Sequence, residues 1–378
     1  MPNRKAALVV TTIFEPKFLP DFVNNFRRYG RADAVEIIVI PDRRTPPSVA
    51  SACARATRDG VRTACPSLDE QAAFLKRLGV PADWIPFDSD NRRNVGYLMA
   101  LAGGCDFVLS VDDDNFCRAD EDFFGVHSVV GTEVSADVRY GSGGWLNICE
   151  SLTFAAAPTP FPRGFPYSRR REPREVRREN GKVRVALNAG LWLDDPDVDA
   201  VGRLESRPKA LAYHDTPFVL GPDTWTPVNT QNTAISRAAM AAYYYVRMGF
   251  AIEGLKIDRY GDILSGYFAQ KCVRHLGEAV RVGDPLCDHR RTPHNLFKDL
   301  YHELAGMVLI EELTPWLIGL KLSGGSYAEA YACLADELAA SAAKFRGFVF
   351  DQGGRDFLTA TAGHMRSWLR ALRALRSV

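Results

Sequence analysis

No stretch of this chain is long and apolar enough to cross a bilayer, and the N-terminus turns charged too soon for an export signal. The apolar or hydroxyl run Ala6 to Thr12 gives way at once to Glu15-Pro16-Lys17. A cytoplasmic location is the expectation. A dominant charge is missing too, with 47 Lys and Arg against 46 Asp and Glu, so nothing in the overall balance points to nucleic acid or an anionic membrane. The eight cysteines (Cys53, Cys65, Cys105, Cys117, Cys149, Cys272, Cys287 and Cys333) never stand in Cys-x-x-Cys spacing, which speaks against structural zinc and against a disulfide framework. Internal repeats and low-complexity tracts are absent as well. What remains is a 378-residue chain, 46% apolar, able to bury a large core.

The first third alternates strand and helix patterns. Ala6 to Val10, Val35 to Ile40 and Phe107 to Val111 read as buried strands; Leu19 to Tyr29, Ser67 to Leu78 and Asn94 to Leu101 read as helices, with Ser67 and Glu70 spaced as a capping box. Such alternation implies an α/β fold with a doubly wound, mostly parallel sheet, whose ligands bind outside the carboxyl ends of the strands. Residues 155 to 185 are rich in proline and arginine, and the charged tract Arg171 to Lys182 reads as a mobile loop or lid. Regular structure resumes at Val183 to Leu193. Helical patterns dominate from Leu296, so a catalytic domain over 1–300 and a helical extension over 301–378 are expected. The last twenty residues form an amphipathic basic helix, suited to packing on its own domain or to a subunit interface in a homo-oligomer.

The sharpest local signal is Val108 to Phe116, where an apolar strand stops on Asp112-Asp113-Asp114. Three adjacent anions repel, and a divalent cation at the strand end would offset that cost. From the residues alone the triplet is either such a site, with Mg²⁺ or Mn²⁺ shared with a substrate phosphate, or a solvated acidic loop. Thr11 and Thr12, ending the first strand, and Asp42, ending the second, are placed to meet base, ribose and diphosphate. So is Arg93, just ahead of a helix, since a guanidinium fork suits phosphate.

A set of ordered segments then carries a family likeness. Asp88 to Phe116, Arg163-Gly164-Phe165-Pro166-Tyr167-Ser168 with Arg170, Gly190 to Leu193 with Pro196 to Asp199, Arg259-Tyr260-Gly261-Asp262, Cys272 to Gly277, Gly283-Asp284-Pro285 with His289, and Asn295, Phe297, Leu300, Glu303 together resemble the reversibly glycosylated polypeptide family. The characterised plant members of that family are UDP-arabinopyranose mutases. The resemblance implies a GT-A-type mixed sheet, a UDP-sugar substrate and a divalent metal held by Asp112, Asp114 and a late histidine, His289. It implies that Asp113 faces the ribose or the sugar, and that Arg163 is the point of reversible self-glycosylation, with Arg170 needed beside it. Read from the residues, a guanidinium is a poor nucleophile, so Arg163 is equally a clamp on the leaving diphosphate, or part of a solvated basic loop.

Departures from the pattern matter for activity. Gly261 stands where the family has a carboxylate, leaving Asp262 for a sugar contact or general base, and Asn229 to Thr233 keeps only Asn232 of a Cys-Gly-Met-Asn type of segment. These changes favour a metal-dependent glycosyl transfer from the UDP-sugar, to a small-molecule acceptor or transiently to the protein itself. A pyranose/furanose mutase is the alternative, and a non-catalytic nucleotide-sugar-binding subunit the third reading.

Overall fold

The computed structural model describes residues 4–81, 83–292 and 294–375. Its strands are β1 (Ala6–Thr12), β2 (Val35–Pro41), β3 (Thr63–Ala64), β4 (Phe107–Val111), β5 (Asn115–Cys117), β6 (Glu133–Gly141), β7 (Leu152–Phe154), β8 (Val176–Asp194), β9 (Ala210–Tyr213), β10 (Phe218–Leu220), β11 (Asn232–Ser236), β12 (Phe250–Ile252), β13 (Leu255–Ile257) and β14 (Ala279–His289). The helices are α1 (Leu19–Arg28), α2 (Ser48–Arg58), α3 (Leu68–Arg77), α4 (Arg93–Ala102), α5 (Phe123–His127), α6 (Ala200–Ser206), α7 (Gly261–His275), α8 (Leu296–Gly319), α9 (Tyr327–Ser341) and α10 (Arg355–Leu375).

One large sheet runs β3-β2-β1-β4-β11-β8-β6-β10-β14-β5. Its first four strands are parallel, joined by right-sized helical crossovers, and β1 and β4 are buried almost throughout because helices cover both faces. Beyond β4 the sheet turns mixed: β11 and β8 run antiparallel to their neighbours, while β14 pairs with β8 in parallel. The expected strands at the N-terminus and the capping box of Ser67 and Glu70 are all present.

The lid reading of Arg171 to Lys182 needs correction. Val176–Lys182 is the exposed first part of β8, paired antiparallel with β6. Charge on a strand is affordable where both faces meet water, and here cross-strand contacts of Lys182 with Glu133 and Tyr140 with Glu179 add to the ladder. At the C-terminus, α10 lays Phe357, Leu358, Trp368 and Leu369 into the same buried cluster as the sheet, and the Trp368 indole donates to Met240 O at 3.1 Å. Helix α8 runs through residue 300, across the expected domain boundary. All eight cysteines are free thiols. No helix among the described residues is long and apolar enough to cross a membrane.

Candidate functional site

Thr12 ends β1, Asp42 follows β2, Asp112 follows β4, and both β8 and β14 finish at the same rim, with Asp194 opposite His289. After Asp112 the chain makes a tight turn into β5, closed by Asn115 N donating to Asp112 O at 3.1 Å. Strand β5 pairs antiparallel with the end of β14, setting Asn115 opposite His289. That register explains why Asp114 Oδ2 meets His289 Nε2 at 3.2 Å, although 175 residues separate them. His289 is 3% exposed, which rules out a surface histidine, and its Nδ1 contacts Asp195 O at 2.5 Å.

Electrostatics distinguishes the three aspartates. Burial pushes Asp113 up to about 6, helped by the charges of Asp114 and Asp112 and opposed by a hydrogen bond from Thr12. For Asp114 burial works upward too, yet the hydrogen bond and charge of His289 hold its carboxyl below the ordinary value. His289 is correspondingly raised: burial lowers it, and Asp114 more than compensates.

Two expectations need correction here. The first concerns the ligand trio, because Asp112 pairs with Arg93, its Oδ1 lying 2.5 Å from Nη2. Among the described residues no three His, Cys, Asp or Glu side chains converge on one point. The buried guanidinium next to the strand end engages one carboxylate oxygen of Asp112. Mg²⁺ and Mn²⁺ sites need only one or two carboxylates beside water and substrate oxygens, so Asp114 and His289 still fit such an ion. The Asn115 Oδ1 beside them is buried without a partner. The second concerns Asn232, which is fully buried and has its amide taken: it donates to Leu191 O (3.1 Å) and Pro285 O (2.8 Å) and accepts from His127 Nε2 (2.9 Å). It ties β8, β14 and α5 together and has no free edge for a nucleotide.

Arg93 is likewise turned inward. Its Nη1 reaches Ser110 Oγ, Val111 O and Thr230 O at 3.0 to 3.2 Å, and its Nη2 also reaches Thr11 Oγ1 at 3.3 Å. It therefore supports the ends of β1 and β4 from beneath. Asp42 caps the end of β2, accepting from Arg43 N at 2.7 Å and Ser89 N at 3.3 Å.

The second cluster lies on the other half of the sheet. Arg163, 8% exposed, forks onto Asp197 through Nε (2.9 Å) and Nη2 (3.1 Å), and onto Asp262 through Nη1 (3.1 Å) and Nη2 (2.7 Å). The remaining Nη1 hydrogen goes to Arg259 O. Every N–H of Arg163 thus has an acceptor within the chain, which removes the solvated-loop reading. Burial opposes its charge, but the two aspartates hold it well above the ordinary arginine value. For Asp197 burial is the largest influence and acts upward; Arg163 and a 2.6 Å hydrogen bond from Asn229 outweigh it and bring the carboxyl down to about 2. A covalent role for Arg163 would require a donor and a proton to be released from this double fork. Arg170 lies over the Tyr167 ring at 3.6 Å and reaches Asp199 Oδ2 at 2.5 Å; Asp199 in turn caps α6.

The clusters belong together electrostatically: Asp112 feels the charges of Asp114 and Asp262, and His289 that of Asp197. Sequence reasoning gave no role to Asp197, Asn229, Arg259 or Glu303. Arg259, at a left-handed φ of +57°, pairs with Asp299 (3.0 Å) and Glu303 (3.3 Å), while Glu303 also accepts from Ala200 N at 2.7 Å. These residues come from loops and from a helix face whose local pattern resembles any charged surface; only the order of the family segments could have flagged them.

Known proteins resemble this chain in sequence. UDP-arabinopyranose mutase 1 of Arabidopsis thaliana is 27% identical over 256 residues, 65% of this chain and 64% of that protein. The Arabidopsis protein named Probable UDP-arabinopyranose mutase 4 is 32% identical over 248 residues, with 65% and 63% covered. The matches span less than two thirds of these relatives' own length. Among solved structures, glucosyl-3-phosphoglycerate synthase from Mycobacterium tuberculosis with Mn²⁺, UDP-glucose and phosphoglyceric acid overlays with a TM-score of 0.41 and 13% identity over 85% of this chain and 82% of that one, too loosely to carry anything further. The sequence model of the reversibly glycosylated polypeptide family matches residues 68–377, most of the chain, and this protein therefore belongs to that family.

Proposed function

We propose that this protein is an enzyme acting on a UDP-sugar, and that it interconverts pyranose and furanose forms of the sugar while it remains a nucleotide sugar. The observation that carries this reading is the family match over residues 68–377, a span that includes the carboxylate triplet and His289, together with the likeness to UDP-arabinopyranose mutases. In such a reaction the C1–phosphate bond breaks, a C1–O4 bond forms as the C1–O5 ring bond breaks, with the proton of the O4 hydroxyl passing to O5, and the same diphosphate re-forms its bond to C1, so no acceptor is consumed. Positive charge grows at C1 and negative charge on the diphosphate as that bond breaks.

Asp114 and His289 would hold a divalent cation, with Asp112 adjoining. When bound, that ion supplies Lewis-acid stabilisation of the leaving diphosphate. Thr12 and Asp113 act as a hydrogen-bonded pair toward the ribose, and Asp42 with the neighbouring backbone shapes the base end. Asp262 faces the sugar, with Arg163 holding its carboxylate in one orientation, and Arg170 fixes the same segment through Asp199. Arg163 is in this reading a positioning residue. Fixed carboxylates contribute because they need not reorient as the transition state forms.

Transfer to an external acceptor is the second reading, and one observation favours it. A Cβ at Gly261 would lie 2.5 Å from Val246 O and 2.9 Å from the Tyr245 ring, so the wall leaves no room for the family's second carboxylate. Incubation with UDP-arabinopyranose and Mn²⁺, followed by chromatography and intact-protein mass, separates the cases. An isomerised nucleotide sugar supports the mutase; free UDP that rises only with an added acceptor supports transfer; a stable glycosyl mass on the protein that Arg163→Lys abolishes supports a covalent role for Arg163. No turnover of any UDP-sugar overturns the proposal.

A further inference from the structure

The turn Asp90–Arg92 ahead of α4 carries a carboxylate that the arginines around it leave unpaired. Arg43 goes to Asp88 (3.4 Å), Arg92 turns into the core to meet Ile85 O (3.2 Å), and Arg93 holds Asp112. Asp90 has no ion pair among the described residues and is open to solvent. Its firm contact is with a phenol, the Tyr245 hydroxyl donating to Asp90 Oδ2 at 2.9 Å. The other oxygen meets Ser89 Oγ at 3.4 Å. A carboxylate offers about four acceptor sites, so most of the capacity of this one is free.

Tyr245 is itself held in place. Asn91 Nδ2 (2.6 Å) and Asn94 Nδ2 (2.9 Å) donate to its carbonyl, its N–H donates to Asn94 Oδ1 at 2.9 Å, and both asparagines are fully buried. The ring lies 5.7 Å from the guanidinium carbon of Arg93, and a Cβ at Gly261 would come within 2.9 Å of it. Burial raises the phenol well above its ordinary value, with the charges of Asp90 and Asp262 adding and Arg93 opposing, so the hydroxyl keeps its proton and donates. Asp90 is raised as well, first by the protein crowded around it; Asp262 and Asp258 add to this, while Tyr245 and Arg93 act the other way. The wall that has no room for a carboxylate at 261 thus receives one from a different element, within electrostatic reach of Asp262.

We propose that Asp90 is a specificity-determining residue whose carboxylate, oriented by Tyr245, accepts hydrogen bonds from sugar hydroxyls together with Asp262. The inference rests on the UDP-sugar reading above and adds a second carboxylate to it. Two acceptors on separate elements select a sugar by which of its hydroxyls reach both, because a polar group left unmet in a site costs affinity.

Calorimetric titration of the full chain tests this, with Mn²⁺ present and UDP compared with the tightest binder among UDP-arabinopyranose, UDP-glucose and UDP-galactose. Asp90→Ala should leave the Kd for UDP unchanged and raise the Kd for the sugar nucleotide about tenfold, the worth of a hydrogen bond to a charged acceptor. Tyr245→Phe, which keeps the ring, should shift the sugar nucleotide about threefold in the same direction, with UDP affinity and melting temperature unmoved. Unchanged sugar-nucleotide affinity in Asp90→Ala overturns the proposal while the wild-type titration leaves the UDP-sugar reading standing. Equal losses toward UDP and its sugar overturn it too, by placing Asp90 at the nucleotide. A wild-type chain that binds none of the sugar nucleotides removes the UDP-sugar reading itself, and this proposal with it.

Discussion

The two halves of the rim are supported by different physics. Under Asp112, Asp113 and Asp114 lies β4, a strand buried along its whole length; Asp112 is tied into it through the buried Arg93, while the carboxylates of Asp113 and Asp114 sit on top. Around Arg163 the candidate site and the foundation are the same atoms: one buried guanidinium joins the 163–170 segment, the loop bearing Asp197 and the start of α7. In the first region a substitution can remove chemistry and leave the fold. In the second the two are inseparable, because a buried ion that loses its partner is costly.

The largest effect expected follows from that contrast. Arg163→Ala leaves Asp197 and Asp262 buried and uncompensated, and should cost about 3–5 kcal/mol of stability by urea denaturation, with activity lost alongside. Arg163→Lys should recover little, since an ammonium cannot fork onto two carboxylates. Equal stability of the alanine variant and the wild type would break the comparison. Asp114→Asn tests the other half: turnover of the UDP-sugar in the presence of Mn²⁺ should fall about a hundredfold or more, while stability moves by less than about 1 kcal/mol. A melting temperature that collapses with the activity would show that the triplet, too, supports the fold.

A third test sits at the seam. His127 is buried with both ring nitrogens engaged, Nε2 donating to Asn232 and Nδ1 accepting from Asn188 at 2.9 Å, and burial depresses its pKa to about 3. Its folded value lies below its unfolded one, so the unfolded chain binds the proton first and stability falls as the pH drops through the interval from about 6.5 to 3. At pH 5 this amounts to about 2 kcal/mol. His127→Gln should flatten that part of the stability–pH curve; an unchanged slope would place the acid sensitivity elsewhere. The smallest effect belongs to the exposed β6–β8 ladder, where Lys182→Gln should leave the urea midpoint where it is in the wild type, as expected of a solvated pair.

The same contrast governs what could be read in advance. Strands β1, β2 and β4 are short apolar runs ended by charge, and α3 has its own cap, so each declares itself within a few residues. The rim position of Asp42 and Asp112 to Asp114 followed from those strand ends. Asn232 and Arg93 misled because residue type and spacing do not tell which way an amide or guanidinium turns, and both turn inward to satisfy buried carbonyls. Val176–Lys182 misled because a doubly solvated strand lacks the apolar alternation that marks most strands. Asp197 was invisible as a site residue, since its partners Arg163 and Asn229 stand 34 positions before it and 32 after it.

That distance has a kinetic side. The fork of Arg163 closes one loop of 34 residues and another of 99, and the Asp114–His289 contact closes one of 175, whereas β1 and β2 pair across a single strand–helix unit. Contacts across long loops are gained only after their closure entropy has been met, so they belong to the final stage of folding. A refolding chain should regain its helical signal before it regains binding of the proposed UDP-sugar, because both halves of the candidate site wait on these long closures.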